Sequence, residues 1–117
     1  MSYRFSGFRR IALATALFGV AASAQAVTEI QFWHAMTGAN NDRINAFAKD
    51  FNESQKDYKV NAVFKGSYPE AMAGAIAAFR AGNAPHILQV FEVGTATMMS
   101  AKGAIKPVYE VMAQAGE

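Results

Sequence analysis

Apolar Ile30 and Phe32 alternate with polar Glu29 and Gln31, and Trp33 follows, so Thr28 to Met36 is predicted as a first strand. Gly38-Ala39-Asn40-Asn41-Asp42 then supplies a turn with several helix-capping residues. Ile44, Phe47, Ala48 and Phe51 recur at helical spacing, and the polar stretch from Asn52 to Asp57 closes that helix. Tyr58, Val60, Ala62 and Phe64 alternate again as a second strand.

Lys65-Gly66-Ser67-Tyr68-Pro69-Glu70 is the next turn. Ser67 and Glu70 have the spacing of a capping box, and Pro69 suits a first helical turn. Because proline disfavours a helical predecessor, Tyr68 is expected to be the last non-helical residue. Met72, Ile76 and Phe79 give the second helix its apolar stripe as far as Gly82. After Gly82-Asn83-Ala84-Pro85, the run Ile87 to Val93 is almost wholly apolar, as a buried parallel strand should be. Thr95 to Ala101 is expected as a short third helix capped by Thr95. Lys106-Pro107 opens a fourth, with Val108, Val111 and Met112 turned inward.

Three strands separated by two helices specify an α/β fold, a parallel βαβαβ unit with right-handed crossovers. Crossovers to opposite sides of the first strand give the order 2-1-3, which leaves the third strand in want of a further neighbour. The chain stops after a helical pattern with no closing element, so it reads as the opening part of a longer polypeptide.

The N-terminus alters the charge picture. Arg4, Arg9 and Arg10 precede an apolar stretch from Ile11 to Ala22, and Ala24-Gln25-Ala26 fits a small-x-small cleavage site. Residues 1–26 are therefore predicted to be a secretory signal, and residues 27–117 the mature part of the chain. The apolar stretch is short for a membrane span. The whole chain carries 11 basic and 9 acidic residues, a net +2. Without the three signal arginines, eight basic residues face nine acids, a balance of −1. The basic character belongs to the signal, and no patch remains that would imply nucleic acid. There is no cysteine, which excludes thiol catalysis, cysteine metal sites and disulfides.

The topology gathers three segments on one sheet edge: Trp33 to Met36, Gly66 to Tyr68, and Glu92 to Thr95. Each runs from the carboxyl end of a strand toward the amino end of a helix, where ligands and anions collect. Glu92 is either a ligand contact there or the point at which the strand turns to solvent. His34 reads as a hydrogen-bonded histidine at a strand end, because no acid or nucleophile stands at a recognisable spacing from it. His86 flanks its strand, and the two histidines lack metal-ligand spacing. Trp33 either stacks on a ligand or fills the core. The segment 82–85 lacks the lysine and hydroxyl of a phosphate loop.

Phe-Trp-His at 32–34, Lys-Gly-x-Tyr at 65–68, Ile-Ala-Ala-Phe-Arg at 76–80 and Gly-Asn-Ala-Pro at 82–85 resemble the extracellular solute-binding proteins of ABC importers. The segments at 87–99 and 105–109 are similar to the branch of that family that takes sn-glycerol-3-phosphate. The resemblance implies a periplasmic-binding-protein-like fold of two α/β lobes, this chain being the beginning of the first. It implies a periplasmic binding subunit without cofactor that delivers sn-glycerol-3-phosphate, or a glycerophosphodiester, to the permease and ATP-binding subunits of a transporter. It also puts the family's ligand-binding tyrosine at Tyr68 and its glutamate at Glu92. The alternative is an exported hydrolase of phosphate esters or glycosides, with Glu92 and His34 as acid and base.

Overall fold

The computed structural model describes residues 26–101 and 103–117, so the predicted export signal lies outside the described residues apart from Ala26. The elements run β1 (Thr28–His34), α1 (Gly38–Ser54), β2 (Tyr58–Phe64), α2 (Tyr68–Arg80), β3 (Ile87–Leu88), α3 (Glu92–Met99) and α4 (Val108–Ala115). The strands form a parallel sheet in the order β2-β1-β3, as the crossover argument requires. The α/β class and the βαβαβ path are therefore as predicted.

Register follows from alternation. Ile30, Phe32 and His34 pair with Val60, Ala62 and Phe64, which places these six on one face. Gln31 and Trp33 pair with Asn61 and Val63 on the other. There the Glu29 carboxylate accepts from the Asn61 amide at 3.2 Å and lies 3.7 Å from Lys59 Nζ. Both partners of this ion pair are exposed, so it contributes little to stability.

The outer edge of β2 is covered by α1, which packs along it. Asn52 does the chemical part of that work. Its Oδ1 accepts from the Val60 amide at 2.7 Å and its Nδ2 donates to the Val60 carbonyl at 2.9 Å. The side-chain amide thus stands where a further strand's peptide group would stand. An edge strand otherwise offers unpaired N–H and C=O groups to any passing chain. Asn52→Ala is expected to cost about 1–3 kcal/mol of unfolding free energy, the penalty for stranded backbone groups. Denaturant titration of a longer polypeptide that carries this segment would measure it, and amide exchange at Val60 should accelerate.

Several expected boundaries shift. β1 ends at His34, two residues short of Met36, because the Met36 amide donates instead to His34 Nδ1 at 3.3 Å. α1 begins at Gly38, so the stretch expected as a turn is its first helical turn. α2 begins at Tyr68, which is helical despite the following proline; Ser67 is the cap, with the extended backbone (φ −67°, ψ 165°) of that position. β3 is two residues long rather than seven, and the helix that follows starts at Glu92 rather than after Thr95. Thr95 is no cap: its hydroxyl donates back to the Phe91 carbonyl at 3.2 Å.

The apolar stripes are only partly used. Ala71, Ala75 and Met98 are the buried apolar residues among those described, while Phe47 is 70 % and Phe79 51 % exposed. Val108, Val111 and Met112, expected inward, are exposed on α4. None of the described elements lies over these side chains, so the helical period is present without a surface to bury it.

Candidate functional site

All three strand-to-helix connections meet on one edge of the sheet, and each is tied to another. The Lys65 amide donates to the His34 carbonyl at 2.9 Å, which joins the connection after β2 to the end of β1. Gln89 joins the third connection to the first. Its backbone amide donates to the Trp33 carbonyl at 2.9 Å, and its side-chain Oε1 accepts from the Ala35 amide at 3.0 Å. One residue past the last β3 pair, a side chain takes over the role of a strand carbonyl. That substitution lets the chain leave the sheet early without stranding the Ala35 amide. His86 does the same before β3: its backbone amide donates to the Gln31 carbonyl at 3.1 Å while its Nδ1 accepts from the Gln31 amide at 3.0 Å.

The third tie is aromatic. Tyr68 and Phe91 stack with ring centroids 5.2 Å apart and planes at 26°, linking the start of α2 to the residue that caps α3. Tyr68 is half-buried, so one side of its ring is occupied and part of it remains open. Glu92 follows Phe91 directly as an exposed carboxylate in the first turn of α3, a favourable place for an anion in the helix dipole. Glu92 was expected at the end of a strand; it stands at the beginning of a helix, on the same edge.

At the amino end of α2 the Glu70 carboxylate accepts from the Ser67 amide at 2.7 Å and from the Ser67 hydroxyl at 2.8 Å. These two hydrogen bonds, the backbone one first, hold Glu70 below the usual carboxylate range. Gly66 completes the turn with φ +83°, a conformation that side chains rarely adopt. A Cβ there would also stand 2.5 Å from Glu70 Oε2.

His34 is fully buried, with Phe32 and Phe64 as ring neighbours at centroid distances of 5.6 and 6.1 Å. Its Nδ1 accepts from the Met36 amide, which requires the neutral ring with the proton on Nε2, and Nε2 has no protein partner. Burial pushes its pKa below the ordinary 6.5. The unfolded chain therefore takes up a proton as pH falls through about 6.5 while the folded chain still resists it, so stability should decline from that point downward. His34→Gln, which keeps an acceptor but not the titration, should flatten that slope in denaturation curves of a longer polypeptide carrying this segment, recorded between neutral and acidic pH. Among the described residues no hydrogen bond joins His34 to a carboxylate, Glu92 included.

Trp33 lies on the opposite face, half-buried, with Lys65 Nζ 3.9 Å from its ring centroid. Among the described residues no three His, Asp or Glu side chains gather as metal ligands. Sequence reading missed Gln89 and Phe91, which knit the edge together. The one signal for Gln89 was a lone polar residue inside an apolar run.

No family model matches the chain. It is 57 % identical over 108 residues, 92 % of its length, to the sn-glycerol-3-phosphate-binding periplasmic protein of Agrobacterium fabrum, of which it covers 25 %. The chain is similar to the sn-glycerol-3-phosphate-binding periplasmic proteins. The counterpart of that name in Brucella suis is 47 % identical over 114 residues, 93 % of this chain and 26 % of the relative. The Yersinia pestis one is 57 % identical over 94 residues, 80 % of this chain and 21 % of the relative. The chain thus spans about a quarter of the length of the sn-glycerol-3-phosphate-binding proteins it matches. The three tied connections and both candidate contacts, Tyr68 and Glu92, belong to this quarter.

Proposed function

We propose that this chain supplies the first ligand-facing edge of a periplasmic solute-binding subunit, one that captures sn-glycerol-3-phosphate, or a glycerophosphodiester, for the permease and ATP-binding subunits of an ABC importer. The observation that carries the reading is the stack that brings Tyr68 beside Phe91, the residue that precedes Glu92, on the edge where two helices begin. Tyr68 offers a neutral O–H to a phosphate oxygen near a helix amino end. Glu92, when ionised, only accepts hydrogen bonds, so it grips the glycerol hydroxyls and keeps clear of the phosphate, since like charges in contact cost affinity. The pair orients the ligand as well as holding it. No bond is broken, and the protein is a carrier rather than an enzyme.

A graft tests this directly. The Agrobacterium fabrum protein would carry residues 27–117 of this chain in place of its own matching segment, and calorimetry would be run with sn-glycerol-3-phosphate while product is assayed. Binding without turnover is expected; a graft that folds and does not bind overturns the reading.

Export is part of the same proposal. The basic start, the apolar stretch and Ala24-Gln25-Ala26 favour cleavage after Ala26. Mass spectrometry of periplasmic material should find Val27 at the N-terminus, and retention of Arg9 and Arg10 would count against export.

A further inference from the structure

Gly94 is buried in α3, where its backbone conformation is one that any residue adopts, so the position does not need glycine for its flexibility. It needs glycine for room. A Cβ at Gly94 would stand 2.8 Å from Phe91 Cε1, 3.1 Å from Phe91 Cδ1 and 2.9 Å from Met72 Sδ. Carbon–carbon contacts settle near 3.5–4.0 Å, so the Phe91 ring would have to move. That ring is the one stacked on Tyr68.

The backbone of Phe91 is pinned independently. Its carbonyl accepts from the Gly94 amide at 3.0 Å and from the Thr95 hydroxyl at 3.2 Å, so the first turn of α3 holds the residue while its ring reaches across to α2. On α2, Met72 lies one helical turn beyond Tyr68, and its Sδ reaches the same space beside Gly94. Phe91 and Met72 thus meet at the space beside Gly94, and the Phe91 ring also stacks on Tyr68.

We infer that Phe91 is a positioning residue for Tyr68, fixing the plane from which the tyrosine hydroxyl meets the ligand, and that Gly94 is the space that lets Phe91 stay there. The inference rests on the binding reading above and adds a residue that does not itself touch ligand. A tyrosine ring free to turn about its side-chain torsions carries its hydroxyl through an arc. Stacking removes that freedom before ligand arrives, and such preorganisation raises affinity by lowering the cost of ordering. Aromatic pairs contribute modestly beyond the area they bury, so the effect read in affinity is about 2- to 10-fold.

The grafted binding protein described above provides the test. Phe91→Leu, which keeps apolar bulk but not the ring, should weaken sn-glycerol-3-phosphate binding about 2- to 10-fold. Phe91→Tyr should retain parental affinity. In a Tyr68→Ala background Phe91→Leu should have no further effect, a non-additivity that a purely structural role would not produce. Gly94→Ala should mimic Phe91→Leu when Phe91 is present and have a smaller effect once the ring is gone, when only the flexible Met72 side chain has to shift. Parental binding by Phe91→Leu, or an equal loss in both Tyr68 backgrounds, overturns the inference while leaving the binding reading intact. A parent graft that folds and does not bind removes that reading, and this inference with it.

Discussion

Tyr68→Phe in the grafted binding protein is expected to weaken sn-glycerol-3-phosphate binding by about 1–3 kcal/mol, because a hydrogen bond to a charged oxygen is lost inside a closed site. The ring is kept, so the stack on Phe91 at 5.2 Å should survive and the protein should unfold at the parental temperature. Glu92→Gln separates two geometries. If the carboxylate accepts from glycerol hydroxyls, the neutral amide weakens binding by a similar amount. A carboxylate close to the phosphate would instead repel it, and the amide would then tighten binding. The first result is expected. Calorimetry on both variants reads it, and parental affinity in both would show that the contact residues have been misplaced.

The polypeptide 27–117 taken alone is expected to self-associate, to unfold without a sharp transition and to bind no sn-glycerol-3-phosphate measurably. β2 is shielded by α1 and Asn52, whereas β3 pairs with β1 through two residues and its other side has no strand beside it among those described. Next to it, α2, β3 and α3 leave an apolar groove of about 370 Å³ lined by Ile76, Phe79, Leu88, Met98 and Ile105. Val93 is 75 % and Val108 69 % exposed nearby in sequence. With no cysteine there is no disulfide to offset so small a core. Open strand edges and apolar surface promote association at about micromolar to millimolar concentrations. Sedimentation velocity with thermal scans would show it; a monodisperse, cooperatively melting species that binds ligand would refute the expectation.

Much of the framework is local chemistry and could be seen in the residues. The alternation in 28–33 and 58–64 determines which faces Phe32 and Ala62 share, and the crossover rule then orders the sheet. Ser67 and Glu70 mark a helix start by a contact three residues apart. What escaped depends on partners distant in sequence. The run 87–93 is apolar throughout, and an apolar run looks the same whether it lies in a sheet or folds over a neighbouring ring. Phe91 takes the second course because Tyr68 is there to receive it, and Gln89 can end the strand because its side chain reaches Ala35. Tyr68 and Glu92 were both expected on the ligand edge from topology, yet the stack that brings their neighbourhoods together has no signature within either segment. Phe47, Phe79 and Val108 show the opposite limit: helical spacing says which side of a helix is apolar, and only a neighbour decides whether it is buried.

The amide of Gln89, the carbonyl of His34 and the ring of Phe91 have a joint consequence for motion. Three loops that fluctuated separately would each have to be stilled on meeting a ligand, at roughly 1–2 kcal/mol for every residue brought to rest. Here each loop is already fastened to another, by a side-chain amide, a peptide hydrogen bond or a stacked ring. The edge is therefore expected to move as one stiff plate. On the proposed reading, any rearrangement on capture falls to joints elsewhere, and this surface travels as a passenger.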